Sequence, residues 1–92
     1  MAKFKTGNIY MTRGIAEMIS ADSGFALFVQ KSLVRHFAGD WGVVDQADAE
    51  ANNYAIAVGD RILSAYMLND IKIWIITEGD RSASTVLFPQ EY

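Results

Sequence analysis

From Arg61 onward, β-prone apolar runs alternate with short polar breaks. Arg61–Leu68 (RILSAYML) ends at Asn69-Asp70, Ile71–Glu78 (IKIWIITE) at Gly79-Asp80-Arg81-Ser82, and Ala83–Phe88 (ASTVLF) at Pro89. β-Branched and aromatic residues crowd the runs, while the breaks carry Asn, Asp and Gly, which accept turn geometry. The pattern predicts three consecutive strands over 61–68, 71–78 and 83–88. Alternation divides each into two faces: Ile62, Ser64, Tyr66 and Leu68 against Leu63, Ala65 and Met67; Ile71, Ile73, Ile75 and Thr77 against Lys72, Trp74, Ile76 and Glu78; Ser84, Val86 and Phe88 against Ala83, Thr85 and Leu87. Neither set is cleanly polar. One face is expected to pack on helices, and the other to expose residues such as Trp74, Tyr66 or Phe88.

Upstream the period changes. Asn8-Ile9-Tyr10-Met11 is short and β-prone, so residues 7–12 are expected to form a strand that joins the C-terminal sheet. Thr12 stands where an N-cap would, before Ile15, Met18 and Ile19 at helical spacing over 13–20; Gly14 weakens that helix. Phe25, Phe28, Val29, Leu33, His36 and Phe37 follow at spacings of three and four, which predicts a one-sided helix over 23–38. Asp22 or Ser23 caps it, Arg35 and His36 complement its C-terminal dipole, and Gly39 stops it. After the loop Asp40-Trp41-Gly42, Asp45 opens a third helix. Ala47, Ala51, Tyr54, Ala55 and Val58 suit a helix running to about 58, and Gly59 ends it. Asn52-Asn53 is a poor choice in mid-helix, so at least one of the two is expected to be held by a specific hydrogen bond. The order β-α-α-α-β-β-β predicts an α+β fold, an antiparallel sheet with helices packed on one face, over a single domain of residues 1–92.

Composition narrows the classes of function. An apolar fraction of 51% excludes a disordered chain, and no apolar run reaches the ~18 residues of a membrane span. Polar Thr6-Gly7-Asn8 follows the basic start before any signal-peptide core could form, so a cytoplasmic location without membrane contact is expected. With no cysteine there is neither a disulfide framework nor a thiolate metal site. The net charge of −3 is segregated: +3 over residues 1–39, −5 over 40–60 and −1 over 61–92. Spread over 39 residues, the five N-terminal bases do not make the cation cluster that displaces counterions, which argues against nucleic acid as the partner.

Candidate chemistry is sparse. His36 is the only histidine, and its apolar stripe near a helix end suits a core or capping role. No Gly-x-Ser-x-Gly turn surrounds Ser23, Ser32, Ser64, Ser82 or Ser84. Asp45, Asp48 and Glu50 lack the Ca²⁺-loop pattern, and Gly39-Asp40-Trp41-Gly42 lacks the Walker spacing. No enzyme, cofactor or metal site is expected. The residues suited to a partner are Trp74 on the apolar sheet, Asp80 and Arg81 at a hairpin tip, Trp41 in its loop, and Arg35. A fork such as the Arg81 guanidinium meets carboxylate or phosphate, or pairs locally with Glu78.

Five stretches carry a family resemblance: Gly7-Asn8-Ile9-Tyr10-Met11-Thr12-Arg13-Gly14, Gly39-Asp40-Trp41-Gly42, Gly59-x-Arg61-Ile62-Leu63-Ser64-Ala65-Tyr66, Ile73-Trp74-Ile75-Ile76-Thr77-Glu78-x-Asp80-Arg81-Ser82, and Thr85-Val86-Leu87-Phe88-Pro89-x-Glu91-Tyr92. Through them nearly the whole chain resembles the small bacterial proteins called "plasmid-related protein" or "type I restriction endonuclease subunit M". A true modification subunit has a Gly-rich methyl-donor loop and an Asn/Asp-Pro-Pro-aromatic motif; this chain has one proline, Pro89, and neither motif. The resemblance therefore brings no functional residues. It implies a bacterial protein linked to plasmids, prophages or other mobile elements, and the functional reading adds an accessory or defence-related role there. The reading that results is a protein-interaction module with a protein partner, which includes a homodimer. An inhibitor of a nucleic-acid-handling complex, using the acidic 40–60 segment, and a weak nucleic-acid binder are the alternatives.

Overall fold

The structure, a computed structural model, describes residues 2–92. Its elements are β1 (Asn8–Met11), α1 (Arg13–Ala21), α2 (Ser23–Phe37), α3 (Gln46–Val58), β2 (Ile62–Leu68), β3 (Ile71–Thr77) and β4 (Ala83–Leu87), with a final 3₁₀ turn at Pro89–Glu91. The strands form one sheet in the order β1-β4-β3-β2. β2 and β3 make a tight hairpin from Ile62↔Thr77 to Leu68↔Ile71, turned by Asn69 at φ 53°. β3 and β4 are also antiparallel.

The sheet is mixed, not wholly antiparallel. β1 lies parallel to β4, with Asn8 beside Ala83 and Met11 beside Val86. Both strands therefore leave the sheet at the same end, β1 into α1 and β4 into the 3₁₀ turn. Glu91 ties those two exits together. Its carboxylate accepts from the Gly14 amide at 3.1 Å, the Thr12 hydroxyl at 2.6 Å and the Phe88 amide at 2.8 Å. Thr12 is thus at the N-cap position without capping α1 through its own side chain. A carboxylate 77 residues along the chain from Gly14 takes the exposed amide instead.

The other helix ends follow the sequence. Asp22 accepts from the Phe25 amide and Asp45 from the Asp48 amide, while Gly59 turns left-handed at φ 79°. α1 and α2 bury Ile15, Phe25 and Val29 against Tyr66, Ile73, Ile75 and Val86. Each such side chain contributes roughly 1.5–3 kcal/mol by leaving water. A second cluster joins Trp41, Ala55 and Ile62, with Phe4, Val44, Ala49 and Ile56 around them.

One expected face is corrected. Tyr66 is fully buried and Phe88 half-buried against Phe25, so neither belongs to the exposed face. In α3 the buried residues are Asn52 and Ala55, while Ala47, Ala51, Tyr54 and Val58 are exposed. The helix is turned to aim Asn52 at the sheet edge, a polar requirement that apolar periodicity does not register.

Candidate functional site

The helix-facing side of the sheet carries a polar chain. Alternation puts Ser64, Thr77 and Ser84 on that side, each fully shielded from solvent, and α2 lowers His36 onto them. His36 Nδ1 meets Ser64 Oγ at 2.5 Å and Nε2 meets Thr77 Oγ1 at 2.8 Å. Thr77 Oγ1 continues to Ser84 Oγ at 2.7 Å, and Ser84 donates to the Thr6 carbonyl at 2.7 Å. That carbonyl can only accept, so it orders every proton behind it. Ser84 spends its hydrogen on Thr6, Thr77 donates to Ser84, and His36 donates from Nε2 to Thr77. Nδ1 is left to accept from Ser64. The imidazole is neutral, and burial pushes it down to about 4. Phe4, Phe37 and Trp41 ring it at centroid distances of 5.4, 5.1 and 5.8 Å.

The groups are those of a hydroxyl–imidazole pair. Catalysis needs a place for a reacting atom beside the nucleophile. The groove between α2 and the end of β2 is lined by Gly24, Leu27, Phe28, Lys31, Met67 and Leu68 among others, and does not reach Ser64 or His36. The relay is a fully satisfied buried network that fixes how α2 sits on the sheet. No group of three or more metal-ligating side chains converges among the described residues.

The outer edge of β2 is closed at Leu63 and Ala65. Asn52 clasps the Leu63 main chain, donating to its carbonyl at 2.7 Å and accepting from its amide at 3.2 Å. One step along, the Ala65 amide donates to Trp41 O at 3.1 Å and the Val43 amide to Ala65 O at 2.8 Å. Gly42, at φ 75°, lies between them, and a β-carbon there would strike the Ala65 carbonyl. Both mid-helix asparagines are therefore engaged, because Asn53 accepts the Trp41 indole N–H at 2.9 Å.

The five residues singled out for a partner do not form one surface. Trp41 is 6% exposed and belongs to the core. Arg35 is exposed but forked onto Asp40, at 2.7 and 3.1 Å, with its guanidinium 4.9 Å over the Tyr66 ring. Asp80 accepts from the Ser82 amide and shapes the hairpin turn. Arg81, in the left-handed region at φ 63°, points inward. It donates to the carbonyls of Asp60, Glu78 and Ala55 at 2.7, 3.1 and 2.8 Å, bolting the end of α3 to the hairpin. The side chain of Glu78 pairs with Arg61 at 3.7 Å and not with Arg81.

Trp74 alone of the five lies on the sheet face opposite α1 and α2, where it is half-buried. Cross-strand register places it between Leu87 and Ala65, next to a row of Tyr10, Thr85, Ile76 and Leu63. Tyr92 stands edge-on to Trp74 at 5.7 Å, and Arg61 donates to its hydroxyl at 2.6 Å. No helix among the described residues is long and apolar enough to cross a membrane. No protein-family profile, curated protein or solved structure matches the chain. The site thus rests on geometry. Sequence reasoning missed Tyr10 and Tyr92 on this face, although Tyr10 follows from alternation in β1. It also missed the relay, whose signal was three hydroxyl residues in phase with the most apolar strand positions.

Proposed function

We infer that this protein is a protein-interaction module that docks a partner on the open face of its sheet. The observation that carries this is the one-sided layer of α1 and α2: these helices cover Tyr66, Ile73, Ile75 and Val86, while the opposite side carries half-buried Trp74 and Leu63 and exposed Tyr10 and Tyr92 around buried Ala65, Ile76 and Leu87. Sheet faces with contiguous apolar and aromatic residues are commonly contact surfaces. Arg61 and Lys72 are the bases on this face, and Arg61 is engaged by Glu78 and Tyr92. That favours protein over a phosphate backbone. The phosphate-mimic reading of residues 40–60 loses ground for a similar reason, since Asp40 is forked by Arg35 and Asp45 caps α3.

The sealed His36 relay supports a binding role over a catalytic one. The resemblance to plasmid-related proteins adds a setting, an accessory or defence role on a mobile element, and gives a reason to seek the partner in a plasmid-bearing bacterial host. The test is affinity capture from such a host with wild type and Trp74→Ala side by side. A partner retained by wild type and lost by a Trp74→Ala protein of unchanged circular dichroism is the expected result. Equal capture by both would move the contact off this face.

A further inference from the structure

β1 is an unfinished edge. Asn8 and Thr12 donate their amides to Ser82 and Val86 of the β4 side, so the alternate residues Ile9 and Met11 turn their N–H and C=O groups away from the sheet. The opposite edge, β2, is covered at Leu63 by Asn52 and at Ala65 by Trp41–Val43. Natural edges are also blunted by Pro, Lys or a bulge. Asn8-Ile9-Tyr10-Met11 has none of these, and its three apolar side chains are 48%, 53% and 41% exposed.

The side chains are unfinished in the same direction. Ile9 and Met11 align with Ser84 and Val86, both fully buried under the helical layer. Ile9 and Met11 therefore point to the core side, but the helical layer stops short of covering them. We propose that this edge pairs with the same edge of a second copy, antiparallel about a two-fold axis at Tyr10. The pairing joins two sheets into one and sets Ile9 opposite Met11 of the other copy, each such pair exchanging main-chain hydrogen bonds.

A second copy fits better than an isolated peptide, because what is missing is helical layer as well as strand. A two-fold axis perpendicular to the sheet keeps both helical layers on one side. It brings a second Ile9, Met11 and α1 to the place where cover is lacking. Exposed Ala16 and Ser20 of α1 are small enough for close approach. The helix-side contact matters, because four paired residues alone fall short of the ~1,200 Å² of a stable interface. Charge agrees. The strand is neutral, Arg13 is already paired with Glu17 at 3.4 Å, and antiparallel apposition sets the Lys5 end of one copy towards the Glu17 end of the other. Tyr10 then faces its own symmetry mate as a non-hydrogen-bonded pair, with Cα atoms about 4.5 Å apart.

The proposal is independent of a partner on the open face, and the test separates the two. The chain has no cysteine, so a single engineered one reports one contact. Tyr10→Cys is expected to form a disulfide dimer under mild oxidation, while Asn8→Cys, two residues off the axis, stays largely monomeric. Light scattering of wild type at tens of micromolar should give twice the 10.2 kDa chain mass. Met11→Lys, which places a charge at an already exposed position, should weaken the dimer at least tenfold with an unchanged circular dichroism spectrum. Trp74→Ala should leave the dimer intact. A wild-type monomer at hundreds of micromolar overturns the proposal. So does cross-linking of Tyr10→Cys no faster than Asn8→Cys, or a dimer that survives Met11→Lys and dissociates on Trp74→Ala.

Discussion

His36 Nε2 donates to Thr77 Oγ1 at 2.8 Å, and the direction of that bond is imposed by a carbonyl at the far end of a hydroxyl chain. The neutral imidazole is the form that fits, and burial holds it at about 4 against an ordinary 6.5. Unfolding releases the ring to its ordinary value, so between those limits the unfolded chain binds more protons. Stability is then fully present above pH ~6.5 and declines as the pH falls towards ~4, by about 2–3 kcal/mol at pH 4.5. Glu91 and Asp40 are held below their usual carboxylate values, by Thr12 and Arg35 respectively, so their losses come at lower pH. Urea unfolding from pH 7 to 4.5 checks this. His36→Phe should flatten the profile in that window, and a flat wild-type profile above pH 5 would rule out the buried neutral ring.

Thr77→Val tests the order of the chain at nearly constant volume. It strands the buried Nε2 proton of His36 and removes the donor to Ser84. A loss of about 1–3 kcal/mol is expected. The imidazole is also expected to redistribute its proton between the two nitrogens, which nitrogen chemical shifts report directly. Retention of a pure Nε2–H ring in this variant would show that Ser64, and not the Thr6 carbonyl, sets the tautomer.

Arg81→Ala should cost about 1.5–3 kcal/mol, the range for a charged donor removed from paired carbonyls. Three elements lose their tie at once, because the guanidinium reaches Ala55, Asp60 and Glu78 together. Arg81→Gly removes the same bonds but relaxes a residue at φ 63°. It should therefore be less damaging than alanine. Thermal unfolding of the pair measures the difference, and equal losses would mean that the left-handed backbone carries no strain there.

Much of this fold was legible because the signals were local. The Asn69-Asp70 break fixed a two-residue hairpin, and Asp22, Asp45, Gly39 and Gly59 marked helix ends through turn and cap chemistry. The direction of β1 was not legible, because a four-residue strand pairs equally well either way and only the shared exit to Glu91 decides it. The buried side of α3 was not legible for a related reason: Asn52 is placed by the Leu63 main chain, not by apolar burial. Arg81 looked like an exposed tip, since nothing in a turn sequence reveals that its side chain folds back over α3. Trp74 did fall on the open face, because period-two alternation needs no tertiary knowledge.

Glu91→Ala asks whether the remote carboxylate is the true cap of α1. Thr12 occupies the N-cap position but gives its hydroxyl to Glu91, so the first turn depends on a residue from the C-terminal 3₁₀ turn. Gly14 permits this, since a β-carbon there would crowd the Glu91 carboxylate. Removing the side chain should cost about 1 kcal/mol, typical of a lost N-cap. Glu91→Gln keeps an acceptor but loses the charge near the helix dipole, so a smaller loss is expected. Gly14→Ala should hurt wild type more than it hurts Glu91→Ala, because the crowding partner is then gone. Strict additivity in that double-mutant cycle would show that the Gly14–Glu91 approach does not couple the two chain ends.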